Sequence, residues 1–246
     1  MLRRMGNKAK LAQKIQVHFP EHSLYIEPFF GAGGMFFNKP QAKYNILNDK
    51  DDDVYNFYLV LKNKRKELED ALDLMPIHKT LIDSFKKDKG TTDIEKAIRF
   101  VFLSNYTMYA SGRTIKFGTQ NDKKIVISKI DETHQKIKHS HFHNCDFREI
   151  FKVLPSNLKK NAFTYLDPPY LGCDTNNNYQ NSWTEQDSKD MFECAINSGI
   201  KFAISEFDNP IILELAKKYD LNVIVIGERW NIKNIRTEIL ITNYKI

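Results

Sequence analysis

This chain of 246 residues is poor in cysteine. Its three, Cys145, Cys173 and Cys194, form no CxxC pair, and their scatter points to a reducing cytosol. Long apolar runs are missing too. None approaches the length of a bilayer-spanning helix, so no membrane partner is expected. The N-terminus is basic but has no apolar stretch behind it, so no secretory signal is read there. There is no internal repeat. Acid is absent where base collects: Arg3, Arg4, Lys8, Lys10 and Lys14 all precede the first acid, Glu21. A second basic run holds Arg113, Lys116, Lys123, Lys124, Lys129, Lys136 and Lys138, against only Asp122, Asp131 and Glu132. A solvated surface accounts for either run alone. With a net charge of +6, the two together favour an anionic partner.

What the chain does have is an apolar run that stops abruptly. Ala162–Leu166 reads as a buried strand, Asp167 ends it, and Pro168 and Pro169 forbid further ladder pairing. A carboxylate, two stiff carbonyls and the Tyr170 ring are thus presented at the C-terminal edge of a sheet, where open α/β folds place ligands. Asp167 can accept one N–H of an exocyclic amine and the Pro168 carbonyl the other. Tyr170 offers a stacking face, which is how enzymes hold a base extracted from its helix. A strand running into a Pro-Pro turn with a surface aspartate is the plainer alternative. The other blocks decide between them.

Leu24–Ile26 reads as a strand, followed by a Glu27-Pro28-Phe29 bend and by Gly31, Gly33 and Gly34. Glycines directly after a strand let a ligand approach the backbone at the start of the next helix. A second strand, Tyr44–Leu47, ends in Asn48-Asp49, and an acid at that place suits two ribose hydroxyls. Asp51, Asp52 and Asp53 then place negative charge at a helix N-terminus. They lack the glycine and terminal glutamate of a calcium loop. A third strand closes on Asp146-Phe147. His139, His141, His143 and Cys145 alternate along it, but no second ligand cluster exists, so a half-exposed strand face is preferred and no metal is expected.

Between the second and third strands the periodicity is helical, over Val54–Leu74, Leu81–Lys87 and Ile94–Tyr106. The stretch SNYTMYASGRTIKFGTQNDKK that follows shows little periodicity. Its aromatics interleave with Arg113 and Lys116, a composition that stacks on bases and pairs with phosphates. Ile130–Lys138 is helical again. Beyond Tyr170 come an asparagine-rich loop around Asn176–Asn178, a capping box at Thr184–Asp187, a strand at Lys201–Ser205 and a helix at Pro210–Tyr219. Two strands, Asn222–Gly227 and Glu238–Tyr244, complete the chain.

Four blocks in this order, RRMGNK, IEPFFGAGGMFFN, ILNDKDDDVYNFY and YLDPPY, carry a resemblance over nearly the whole chain. They resemble the S-adenosylmethionine-dependent DNA adenine N6-methyltransferases, alpha group (Dam-like, D12 class). The resemblance implies an α/β, class I (Rossmann-like) methyltransferase sheet, mostly parallel, with an antiparallel strand near the C-terminus. It implies a catalytic and cofactor domain over residues 1–54 and 135–246, and a mainly helical DNA-recognition domain inserted over 55–134.

Roles follow from the matching positions. Glu27, Pro28, Phe29, Gly31 and Gly33 would surround the methionine moiety of the cofactor, Asp49 its ribose, and Asp146 and Phe147 its adenine. Gly6 and Lys8 would close over the cofactor and reach toward DNA. Asp167, Pro168, Pro169 and Tyr170 would hold a flipped adenine, with Asp167 also bordering the cofactor. Asn105, Tyr109, Ser111, Arg113 and Lys116 are the candidates for DNA contact. Double-stranded DNA is the expected partner, with a cognate restriction endonuclease as a second, in a bacterial or phage-infected cytoplasm. The insert departs from the longer glycine- and asparagine-rich loop of GATC-methylating members, so a different short target is expected. Two alternatives stay open: another exocyclic amine as acceptor (cytosine N4, RNA or a protein glutamine), or a catalytically silent DNA-binding homologue.

Overall fold

Strands that are apolar on both faces need helices on both sides, and short strands alternating with amphipathic helices supply them. The computed structural model describes residues 2, 7–152, 156–172, 183–230 and 235–245. Strands β1 (Leu24–Glu27), β2 (Tyr44–Asn48), β3 (His141–His143), β4 (Ala162–Leu166), β5 (Lys201–Phe207), β6 (Asn222–Trp230) and β7 (Ile235–Thr242) form one sheet in the order β3-β2-β1-β4-β5-β7-β6. The first five are parallel, and β7 runs antiparallel between β5 and β6. This is the mostly parallel α/β sheet with a late antiparallel strand that the sequence leads one to expect. Every residue of β1 and β4 is buried, as central strands require. The chain builds outward from β1 on one side and resumes with β4 on the other, so the crevice for a ligand opens between these two strand ends.

Helices α1 (Ala12–Gln16), α2 (Asp52–Asn63), α3 (Arg65–Leu74), α4 (Thr80–Lys87), α5 (Asp93–Tyr106), α6 (Thr119–Ser128) and α7 (Ile130–Ile137) precede β3. Helices α8 (Phe147–Ile150), α9 (Glu185–Asn197) and α10 (Pro210–Lys218) follow it. Alternation along β4 divides the core in two. Phe163 and Tyr165 join Tyr25, Phe36, Phe57 and Tyr58 in a core continuous with the helices between β2 and β3. Ala162 and Leu166 join Ile26, Phe192, Phe202 and Ile204 on the opposite face.

The differences from the sequence reading are local. The helix expected over 54–74 breaks at Lys64, whose backbone (φ −131°, ψ 39°) is not helical, and becomes α2 and α3. Helix α6 was unexpected: only Val126 of its residues is buried, so its sequence shows no apolar stripe. The glycine loop leads into a 3-10 turn at Phe36–Asn38 instead of an α-helix. Strands β5 and β6 extend beyond their expected ends, β7 begins earlier than expected, at Ile235, and stops at Thr242, and β3 is only three residues long. The Thr184–Asp187 capping box forms as expected, with both reciprocal bonds present. Arg3, Arg4, Gly6, Cys173 and Asn176–Asn178 lie outside the described residues.

Candidate active site

β4 is paired on both sides, so Asp167 emerges at the middle of the sheet's C-terminal edge, beside the crevice. Its Oδ1 accepts a hydrogen bond from Lys8 Nζ at 2.7 Å. Lys8 was expected to reach outward, toward cofactor and DNA. Instead its side chain is 2% exposed and points into the sheet edge. The ammonium also lies 3.7 Å from Glu238 Oε1 on β7 and 4.4 Å from the centre of the Tyr170 ring. The Tyr170 hydroxyl donates to that same Glu238 oxygen, and the ring packs edge-on against Phe207 at 4.7 Å. The open stacking face expected at Tyr170 is therefore corrected: Tyr170 is buried, with a cation over its ring. Pro168 is buried and Pro169 half-buried beside it.

Two more acids flank this group. Glu27, at the end of β1, is buried and accepts from the Tyr25 hydroxyl at 2.8 Å. Burial pushes its carboxyl well above the ordinary range, against the Tyr25 hydrogen bond, and neighbouring Asp167 pushes it further. Glu206, on β5, accepts from the backbone N–H groups of Phe207 (2.9 Å) and Leu171 (3.3 Å). Burial raises its carboxyl to about 8, Asp167 adding to the effect and Lys8 and the two N–H bonds opposing it. Glu206 is therefore mostly protonated near pH 7, and Glu27 is shifted in the same direction.

The glycine loop lies at the end of the neighbouring strand. Gly31 (φ +51°) donates its N–H to Asp49 Oδ2 at 2.7 Å, and Asp49 Oδ1 accepts from Asp51 N–H at 2.9 Å. Asp49, expected at the ribose of the cofactor, thus also fixes the glycine loop. A side chain at Gly33 would overlap Phe37 and Phe30, and one at Gly34 would overlap Asn7 and the Lys8 backbone. The N-terminal turn carrying Lys8 lies directly on the loop. A Cβ at Gly31 would meet nothing within 4 Å, so the backbone there faces open space. The Pro28 carbonyl accepts from Asn48 Nδ2 at 2.9 Å, which ties the β1 bend to β2.

Beyond β3, Asp146 caps α8 by accepting from Arg148 N–H. Its carboxylate also receives Lys50 Nζ and Arg148 Nη1, each at 3.0 Å. Burial pushes this carboxyl up, but the hydrogen bonds from Arg148 and Lys50 outweigh it and hold it below its ordinary value. Phe147 is buried, with its ring 5.3 Å from Phe29 and 5.6 Å from Trp183. The crevice therefore offers an approachable glycine backbone, two strand-end carboxylates on adjacent strands and an aromatic wall. Such a donor set fits a nucleoside bearing an amino-acid-like tail and a positive centre. His141 and His143 lie on β3, yet no three His, Cys, Asp or Glu side chains among the described residues are grouped to hold a metal ion.

The DNA-contact candidates divide. Asn105 is 1% exposed within α5, which removes it from any surface that DNA can touch. Lys116 is half-buried and paired with Asp122 at 2.6 Å, so much of its charge is already answered. Tyr109, at φ +55°, is 73% exposed, Ser111 half-buried and Arg113 exposed. They lie on a short ribbon closed by the Thr107–Ile115 bridge. Phe117, fully exposed, stands beside it and escaped the sequence reading. So did Glu206, Glu238 and Arg148. The two glutamates had a signal, since each is a lone acid inside an otherwise apolar strand run (FAISEF and TEILIT). Arg148, which bonds Asp146, Asp187 and Asp190, had none.

Comparison with known proteins agrees with this geometry. The family described as D12 class N6 adenine-specific DNA methyltransferase matches residues 5–232. The Type II methyltransferase M1.LlaDCHI of Lactococcus lactis subsp. cremoris is 22% identical, over 97% of this chain and 93% of its own length. The DNA adenine methylase of Vibrio cholerae serotype O1 is 24% identical over 89% and 85%, and that of Escherichia coli K12 is 23% identical over 89% and 84%. Among solved structures, the rRNA methyltransferase aviRa of Streptomyces viridochromogenes aligns over 98% of this chain and 85% of its own, with a TM-score of 0.43 and 10% identity. That likeness is too slight to bear on the chemistry. The family match spans nearly the whole sheet and all four sequence blocks except the first residues of RRMGNK. The chain belongs to the D12 class of N6 adenine-specific DNA methyltransferases, and it transfers a methyl group from S-adenosylmethionine to N6 of adenine in DNA.

Proposed function

We propose that Asp167 and the Pro168 carbonyl together capture the exocyclic amine of a flipped adenine, and that the sheet edge around them does the rest. The observation that carries this reading is the Lys8 ammonium 2.7 Å from Asp167: the carboxylate is placed to accept an N–H from an amine. The N6 lone pair of adenine is conjugated into the ring and is a poor nucleophile. Accepting both of its hydrogens makes the nitrogen more tetrahedral and richer in electron density, with its lone pair directed out of the ring plane. Asp167 also stabilises the positive charge that develops on N6, and positioning by the crevice supplies orientation. The N6 proton leaves afterwards, so Asp167 need not be a strong base. S-adenosylmethionine supplies the electrophilic methyl group. Gly31, Gly33, Glu27, Pro28 and Phe29 would hold its methionine end, Asp49 its ribose, and Asp146 and Phe147 its adenine.

In this reading residues 55–134 form the target-recognition unit on a catalytic unit of 1–54 and 135–246. The exposed Tyr109 and Arg113 support that assignment, with Ser111 between them. A cognate restriction endonuclease is the proposed partner system, supported by the Type II designation of the lactococcal relative. The bacterial relatives support a bacterial or phage-infected cytoplasm as the setting. The test is Asp167→Ala, assayed on methylation-free duplex DNA read by modification-sensitive sequencing. The wild type modifies adenine at one recurring short sequence, while the variant loses methylation and keeps its affinity for S-adenosylmethionine. Unchanged turnover in the variant refutes the role given to Asp167.

A further inference from the structure

We infer that Glu238 is a positioning residue for base capture: it receives the Lys8 ammonium when the adenine amine displaces that ammonium from Asp167. The inference rests on the reading of Asp167 as the amine acceptor. Half-buried Asp167 and three buried groups form one chain. Asp167 Oδ1 accepts from Lys8 Nζ at 2.7 Å, the same Nζ lies 3.7 Å from Glu238 Oε1, and that oxygen accepts from the Tyr170 hydroxyl. Glu238 is fully buried on β7, opposite Phe207 of β5, whose ring supports Tyr170.

An ammonium and an adenine amine compete for Asp167 in two ways. Each offers N–H donors to the same carboxylate, and the amine nitrogen becomes positive as it is methylated. A lysine held at Asp167 would repel that developing charge and cancel the stabilisation the carboxylate provides. Lys8 must therefore give way, and its ammonium, buried at 2% exposure, needs another acid while it stays inside, because an unpaired buried charge is costly. Burial favours the protonated form of Glu27 and Glu206, which makes them weaker acceptors for a cation. Glu238 already lies within ion-pair range. An approach of about 1 Å brings Lys8 from 3.7 Å to contact distance with Glu238 and lengthens its 2.7 Å bond to Asp167, freeing that oxygen for the incoming amine.

The experiment keeps the target adenine and places 2-aminopurine immediately beside it, in the duplex whose sequence the methylation assay identifies, and follows the rise in fluorescence as the adenine leaves the stack. Full-length wild type, Glu238→Gln, Lys8→Met and the double variant are compared. Glutamine keeps an oxygen for the Tyr170 hydroxyl but removes the charge. In Glu238→Gln, base capture weakens about tenfold, while affinity for S-adenosylmethionine, measured without DNA, stays within about twofold. Lys8→Met alone captures the base at least as tightly as the wild type, and the double variant recovers the capture that Glu238→Gln lost. A purely structural role, in which Glu238 only holds Tyr170, predicts no recovery. Wild-type capture by Glu238→Gln, an unrecovered double variant, or weaker capture by Lys8→Met each overturns the proposal. The reading beneath it fails separately: if Asp167→Ala captures and methylates the base like the wild type, the amine site lies elsewhere and the proposal falls with it.

Discussion

Replacing Glu206 with glutamine should make the protein more stable at alkaline pH and leave it little changed, or slightly weaker, in mild acid. Glu206 is fully buried on β5, and its carboxyl is raised from 4.5 to about 8, chiefly by burial. Below pH ~4.5 both the native and unfolded chains carry the proton, so the group does not affect folding. Above that value the unfolded chain releases its proton while the native protein keeps it. The native state therefore loses ground steadily until the pH passes about 8, where the native carboxyl ionises too and the loss levels off. At ~1.4 kcal/mol per pH unit, the full interval corresponds to ~5 kcal/mol as a ceiling.

Glutamine is neutral at every pH and has almost the same shape. Its oxygen can accept from Phe207 N–H, but its amide nitrogen cannot accept from Leu171 N–H. Losing that 3.3 Å bond costs ~1 kcal/mol at all pH values. The variant should then be close to wild type in stability at pH 5, where the two effects nearly cancel, and ~2–4 kcal/mol more stable at pH 9. For a chain of this size the alkaline gain is a rise in Tm of roughly 5–10 °C. Urea denaturation of both proteins at pH 5, 7 and 9 measures it. A difference that stays constant across these pH values would refute the assignment of a buried, protonated Glu206.

Arg148 should matter to stability and cofactor together. Its guanidinium joins Asp146 to Asp187 and Asp190 on α9, so Arg148→Gln should cost ~1–3 kcal/mol and raise the KM for S-adenosylmethionine more than it lowers kcat. The carboxyls of all three aspartates lie below their ordinary values. The contribution is therefore complete above pH ~4 and disappears as pH falls through the lowered values, so wild type and variant should converge in strong acid. A gap that persists at pH 2, or an unchanged KM, would count against this role. Arg113→Ala should weaken DNA binding without altering cofactor affinity, and should reduce the slope of log K against log salt by about one. Fluorescence-anisotropy titrations at several salt concentrations decide, and an unchanged slope removes Arg113 from the phosphate contacts.

The parts of this protein that were legible in the sequence are those whose cause is contiguous. Ala162–Leu166 is apolar throughout because β4 is buried on both faces, and the prolines after Asp167 mark the edge of the sheet. Asp51 and the acids after it begin α2 because orphan N–H groups there need acceptors. Where the cause is tertiary, the sequence misled or said nothing. Asn105 looked like a polar contact in a basic stretch, but α5 turns that position inward. Helix α6 shows almost no apolar stripe because it lies at the surface with one buried residue. Lys8 looked like one more surface cation in a basic N-terminus. Its partner is 159 positions away, and only the order of strands in the sheet brings them together.

That order also explains why the site needs a cation at all. β1, β4 and β5 end side by side, with antiparallel β7 next to β5, and an acid from each lies near this edge: Glu27, Asp167, Glu206 and, opposite Phe207, Glu238. Four ionised carboxylates crowded out of water would repel one another strongly, and the edge avoids this by two different means. Burial shifts Glu27 and Glu206 toward the protonated form, whereas Asp167 and Glu238 share the Lys8 ammonium. A protonated acid cannot attract an amine as a carboxylate does, but a lysine can be exchanged for one. The group reserved for the substrate is thus the one neutralised by a movable partner. The glycine at position 34 leaves room for that partner's backbone to lie against the glycine loop, which the proposed function gives to the cofactor. Base capture and cofactor binding consequently act on the same N-terminal turn, so a substitution that enlarges Gly34 should impair both.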